Sequence, residues 1–306
     1  MASMIDPIDF SEYMERTEFK AKVRPASDFC DDMVALLCPH HEAPKDPEMF
    51  STKLRGLLRF RKGEVTAWAG YNGHKKSLYV GQVALDMLVQ QQRVLIMSME
   101  MQPERTLLRM LHQASGLADP PQWWVRGFVG WTDNKLWLLD HHGRLSPAVA
   151  VAACRYFAEV HGGHHVIIDS MMMVCDSEEH LDQQKQLTTD LVRVAQETGL
   201  HIHLVVHCRK PQSGEDKPPG KYDIRGSSAI SDQCSNVVTV WSDKREKKPD
   251  MDPDALVTVE KQRNGAWEGR IRLAFDPCSL RFTDDRQASM EPYAIERNFP
   301  RTAEAA

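Results

Sequence analysis

The chain has 306 residues, 38 Lys+Arg against 43 Asp+Glu, and a formal net charge of -5. With 42% hydrophobic and 26% charged residues it has the composition of a globular protein with a sizeable core, which excludes a disordered chain. No run approaches the roughly 18 apolar residues of a membrane-spanning helix, and the opening MASMIDPIDFSEYMERTEFK lacks a secretory pattern. An odd, scattered set of 7 cysteines predicts free thiols in a reducing, cytoplasmic setting. The acidic balance leaves nucleic acid open as a partner, because a local basic stripe is enough to hold phosphates.

Residues 1–50 are rich in acidic residues and proline and carry no long periodic pattern, which predicts an arm or small docking segment. Cys30, Cys38, His40 and His41 are zinc-type ligands, but no CxxC pair is present and their spacing matches no common finger. From Gly63 on, short apolar runs alternate with helical patterns. Glu64–Ala69 reads as a strand, Ser77–Gln91 as a packed helix, and Arg93–Ser98 as a second strand. Pro103 opens another helix at its first turn, and Pro147 one that ends near Gly162–Gly163. A buried strand follows at His165–Asp169, then a helix over Leu181–Thr198 closed by Gly199, then a strand at His201–His207. Asn236–Trp241 and Ala255–Lys261 are further strands, and a hairpin pivots on Asn264–Gly265 into Gly269–Phe275. This order predicts an α/β fold: a mostly parallel sheet covered on both faces, with antiparallel additions at its C-terminal end. The predicted units are the segment 1–50, one domain over 51–285, and a polar, flexible tail at 286–306.

The first strand ends in Gly70-Tyr71-Asn72-Gly73-His74-Lys75-Lys76-Ser77 and runs straight into a helix. A phosphate-binding loop needs this context: backbone N–H groups wrap the anion, a lysine reaches the outer phosphates, and a hydroxyl faces Mg²⁺. Against the pattern GxxxxGK[ST], Gly70, Lys76 and Ser77 match. Lys75 stands where the second glycine belongs, and its side chain must either turn outward or crowd the nucleotide. Gly70, Gly73, Lys75, Lys76 and Ser77 are the candidate nucleotide contacts; a glycine-rich turn before a helix is the plainer alternative.

The later strands end in residues that suit nucleotide hydrolysis. Glu100, in Ser98-Met99-Glu100-Met101, is placed to deprotonate an attacking water. Asp169 is suited to ordering Mg²⁺, and His207 to contacting a terminal phosphate as a neutral or charged imidazole. The segment 208–225 carries Arg209, Lys210, Lys217, Lys221 and Arg225, a locally positive loop suited to a phosphate backbone. Lys261 and Arg263 share one face of the hairpin, from which two cations can reach a phosphate held by a neighbouring subunit.

Taken in order, GEVTAWAGYNGHKKS, SMEM, HVIIDS, LVVHCRKP, YDIRGSSAI and VEKQRNG resemble the motor domain of DnaB-type hexameric replicative helicases, including phage primase-helicases. The match runs from about Gly63 to Phe282, and SMEM and KQRNG are its most specific pieces. The resemblance implies a RecA-like fold, a homohexameric ring around single-stranded DNA, ATP or another NTP bound with Mg²⁺ between subunits, and a place in DNA replication, in the host cytoplasm for a phage protein. It implies phosphate and Mg²⁺ roles for Lys76 and Ser77, a catalytic base in Glu100, a metal-ordering acid in Asp169, and a γ-phosphate sensor in His207. Lys261 and Arg263 are implied as cations given in trans, and Arg209 and Lys210 as parts of the DNA-gripping loop. Two departures stand out: Lys75 for glycine, and Trp241-Ser242-Asp243-Lys244 where relatives often place an arginine that stacks on the base. The segment 1–50 is short for a primase or helical collar, so a primase or loader is implied as a separate partner. Two other readings stay open: a nucleotide- and DNA-binding ring or filament with impaired hydrolysis, and a RecA-like ATPase with a task unrelated to DNA.

Overall fold

The computed structural model describes residues 8–14, 25–37, 46–141, 143–175, 181–209, 217–226, 228–245, 249, 251–288 and 290–293. Cys38, His40 and His41, Lys210 and the tail beyond residue 293 lie outside them. Two short helices come first, α1 (Ser11–Met14) and α2 (Cys30–Leu37). Then follow β1 (Val65–Gly70), α3 (Lys76–Val89), β2 (Val94–Ser98), α4 (Pro103–Ser115), α5 (Gln122–Thr132) and β3 (Leu136–Leu138). Next come α6 (Pro147–His161), β4 (His165–Asp169), α7 (Met171–Val174), α8 (Leu181–Thr198), β5 (His201–His207) and α9 (Ala229–Gln233). The chain closes with β6 (Asn236–Ser242), β7 (Ala255–Gln262), β8 (Gly269–Asp276) and β9 (Arg281–Thr283). The α/β architecture expected from the sequence is present.

Among the described residues the strands form one sheet in the order β3-β2-β4-β5-β1-β6-β7-β8-β9. Strands β3 to β6 of that order run parallel, and β7, β8 and β9 add antiparallel pairs. The parallel strands are apolar throughout because both faces are covered. Alternation splits β1: Val65, Ala67 and Ala69 pack with Phe157 and Leu191 under α6 and α8, whereas Trp68 packs with Tyr79 and Val83 of α3. The long helices begin and end where their sequence allows. Pro103 and Pro147 open α4 and α6, Ser146 accepts a bond from Val149 N, and Gly116 and Gly162 take positive φ at the ends.

Both flanks of the sheet-forming segment pack onto this unit. Met49, Leu54 and Leu58 are buried with Trp68 in one core cluster, and Tyr293 Oη donates to Asp86 Oδ1. On the far side Phe10 and Tyr13 of the α1 region meet Tyr156 edge-on at 5.7 and 5.5 Å. No helix among the described residues is long and apolar enough to cross a membrane.

Candidate nucleotide site

Register alone assembles the site. Gly70 lies opposite His207, and Ser98 lies opposite Asp169. The neighbouring ends of β2, β4, β5 and β1 therefore bring Glu100, Asp169, His207 and the loop after Gly70 to one edge. This is the carboxyl edge of the parallel strands, where open α/β sheets bind ligands. Gly70 is required by space: a Cβ there would stand 2.3 Å from Val240 O of β6. Gly73 takes a φ of +75°, a conformation that favours glycine.

Lys75, at the missing glycine, also adopts a left-handed backbone, with φ 60° and ψ 23°. Its side chain leaves the loop and sets the ammonium 4.7 Å from the centre of the Phe275 ring. Of the two paths open to it, the outward one is taken, and the cation–π contact offsets part of the backbone cost. Lys76 turns inward, is buried, and donates to Tyr71 O at 2.9 Å. Burial holds its amine below the ordinary lysine range, at about 8, despite favourable charges on Asp169 and Glu100.

Ser77 hydrogen-bonds the Asp169 carboxyl, and burial raises that acid to about 6. Glu100 is half-exposed, and its Oε1 accepts from Ser170 Oγ at 2.8 Å. His207 Nδ1 lies 3.3 Å from the Lys76 ammonium and accepts from it, so Nε2 carries the ring hydrogen toward Ser170 Oγ at 3.4 Å. Burial and the Lys76 charge push His207 down to about 4. At neutral pH this residue is a hydrogen-bonding group without charge, which resolves the two forms left open by the sequence.

Hard oxygen donors on Ser77 and Asp169 fit a Mg²⁺ ion. Among the described residues no cluster of three or more His, Cys, Asp or Glu could hold a metal. So small a donor set suits an ion that shares its coordination with nucleotide phosphates and water.

The basic loop starts where β5 ends. Arg225 N donates to His207 O and Arg209 N to Asp223 O, both at 2.8 Å, so the loop is tied at its base to the strand that carries the imidazole. Lys221 lies 5.4 Å from the ring centre of Tyr222, which is 86% exposed, and Lys217 sits on the same loop.

Lys261 and Arg263 do share a face, but not the edge of the phosphate loop. Lys261 Nζ donates to the carbonyls of Ser231, Asp232 and Cys234 at 2.7 to 2.9 Å, and Arg263 Nη2 to those of Asp232 and Gln233 at 3.0 and 3.4 Å. Both cap the end of α9, where the helix carbonyls favour cations. Arg263 N binds Ser235 O and Ser235 N binds Val65 O, which sets Arg263 level with the start of β1. At about 3.3 Å per residue, Gly70 lies about 16 Å further along.

Sequence reasoning missed Ser170, which bridges base and imidazole, and His74, which bonds Ser242 through ring and backbone. Adjacency to Asp169 was the only available signal for the former.

A family model described as an AAA domain matches residues 53–213. Among solved structures, the ATPase domain of a phage helicase superposes with a TM-score of 0.75 at 16% identity, over 86% of this chain and 99% of that one. A DnaB-like replicative helicase, described with its interactions with primase, superposes at 0.71 and 16% identity, over 86% of this chain and 67% of that one.

Proposed function

Because the chain belongs to the AAA domain family and has the fold of a replicative-helicase ATPase domain, we propose that it hydrolyses ATP, or a related NTP, to translocate along single-stranded DNA. Lys76 and the loop amides bind the phosphates, Gly70 and Gly73 let the backbone close on them, and Ser77 and Asp169 hold Mg²⁺. When bound, that ion neutralises phosphate charge. Glu100 takes a proton from the attacking water, and uncharged His207 reads the terminal phosphate through Nε2–H. The observation that carries this reading is the convergence of Lys76, Ser77, Glu100, Asp169 and His207 on one sheet edge, with three of the five shifted in pKa.

Assembly as a homohexameric ring, with Lys261 and Arg263 given to a neighbour's nucleotide, is supported by their distance from their own phosphate loop. Arg209, Lys217 and Lys221 suit a DNA backbone, and the ties at Arg225 and Asp223 couple that loop to His207. A primase or loader remains a proposed separate partner. The binding-only reading rested on Lys75, and its outward course over Phe275 weakens that reading.

The test is phosphate release with and without single-stranded DNA. The wild type should show Mg²⁺-dependent hydrolysis stimulated by DNA, and Glu100→Gln should lose at least about a hundredfold while keeping nucleotide binding. Hydrolysis indifferent to DNA favours the ATPase without a DNA task. No hydrolysis despite tight binding returns the binding-only reading.

A further inference from the structure

We propose that Lys244 is a second cation of the phosphate loop, one that reaches the outer phosphates of the nucleotide from the adjoining strand; this rests on the nucleotide-binding reading above. Strand β6 lies beside β1, and its end is fastened to the loop: Ser242 N donates to His74 Nδ1 at 3.2 Å and Ser242 Oγ to His74 O at 3.3 Å. Two residues on, Lys244 turns back across the loop. Its ammonium lies 3.4 Å from Asn72 O, and 3.0 Å from where a Cβ on Gly73 would stand. The glycine therefore clears the space the ammonium occupies, in addition to supplying the turn. One long contact to a carbonyl leaves further N–H donors of the ammonium for an anion. Arg245, the other candidate for stacking on the base, is held by Asp243 and Asp252 at 2.6 and 2.7 Å.

Lys244 also acts on Lys76. Its charge is among those that lower the Lys76 pKa, so the two ammoniums repel across the loop. An anion between them removes that repulsion and gains both attractions. A cation in this place answers to phosphate count, whereas a base-stacking side chain answers to the adenine.

The experiment compares wild type, Lys244→Ala, Lys244→Arg and Arg245→Ala in displacing a fluorescent adenine nucleotide with AMP, ADP and a non-hydrolysable ATP analogue, all with Mg²⁺. Lys244→Ala should weaken the ATP analogue by about tenfold, ADP by less and AMP not at all. Lys244→Arg should retain most of the affinity, and Arg245→Ala should match wild type throughout. If Lys244→Ala binds the ATP analogue within about twofold of wild type, or loses AMP and ATP analogue equally, the assignment is overturned. If the wild type binds none of the three, the nucleotide reading falls and takes this one with it.

Discussion

The two ends of the parallel sheet carry similar residue types and use them in opposite ways. At the carboxyl end of β1, β2, β4 and β5, lysine, carboxylates and histidine are held by few contacts and are shifted from their ordinary pKa values. At the amino end the polar groups consume one another. Glu64 accepts from Asn236 and Asn264, Lys261 has three carbonyls, and His201 binds Thr66 Oγ1 and Arg61 O. Beside His201, His203 accepts from Trp68 Nε1 and meets His165 at 3.2 Å, so the three buried imidazoles form a satisfied internal network. The difference separates structure from function better than residue type does. Polar groups that already satisfy each other build the sheet, and groups left short of partners face the site where a ligand completes them.

The largest effect that can break this contrast concerns Lys261 and Arg263, which belong to the satisfied end in one protomer and to the reactive end in a ring. Lys76→Ala and Arg263→Ala should each lower ATP hydrolysis by at least about a hundredfold. Mixed in equal amounts, the two variants should regain activity, because roughly a quarter of interfaces in a random ring pair an intact loop with an intact arginine. Steady-state phosphate release of the mixture decides it: a mixture as inactive as its parts places both residues in one protomer's site.

Acid should separate the two ends next. His201 is pushed down to about 4 by burial, and His165 and His203 are lowered as well. The unfolded chain therefore takes up these protons first. Their contribution to stability is complete above about pH 6.5 and is lost as pH falls toward 4, about 3 kcal/mol for His201. Buried Asp169 and Asp86 are raised and act in the opposite direction. The informative quantity is thus the difference between wild type and His201→Gln in denaturant unfolding. That gap should narrow between pH 7 and 4.5, and a constant gap would show that the imidazole does not titrate with folding.

Lys76 should give a smaller effect with its own sign. Its amine is lowered to about 8, and only the protonated form attracts phosphate. Affinity for a non-hydrolysable nucleotide should stay level below pH 8 and fall by up to about tenfold per unit above it. Fluorescent nucleotide titration from pH 7 to 9.5 measures this, and affinity unchanged through pH 9.5 would remove Lys76 from the phosphate contacts.

Most of the reactive end was legible in the sequence because strand ends can be read from apolar runs and parallel register then joins them. Glu100, Asp169 and His207 each follow such a run, and no side-chain geometry was needed to bring them together. The strands at Leu136–Leu138 and Arg281–Thr283 escaped because three residues show no period. The resting place of Lys261 and Arg263 escaped for another reason. Helix α9 has five residues, too few for a periodic signal, and the tertiary fold alone brings its carbonyls under β7. Lys244 was visible as a charge after a strand, but its direction is set by the His74–Ser242 pair, a contact between segments 168 residues apart.

Lys75 carries the smallest expected effect and tests the contrast most finely, since it lies in the reactive loop while its side chain is satisfied elsewhere. Glycine at 75 would relieve a left-handed backbone, worth about 1 kcal/mol, and would forfeit a cation–π contact worth about 0.5–1 kcal/mol. The two nearly cancel, so Lys75→Gly should leave the unfolding midpoint almost unchanged. Hydrolysis should stay within about twofold of wild type, because the side chain already lies over Phe275 and away from the phosphates. Phe275→Leu supplies the complementary measurement: with the ring gone, Lys75 loses its outward anchor and any obstruction should appear only then. A tenfold rise in turnover for Lys75→Gly alone would mean that the lysine does crowd the nucleotide, and that its outward course is not the one followed during the reaction.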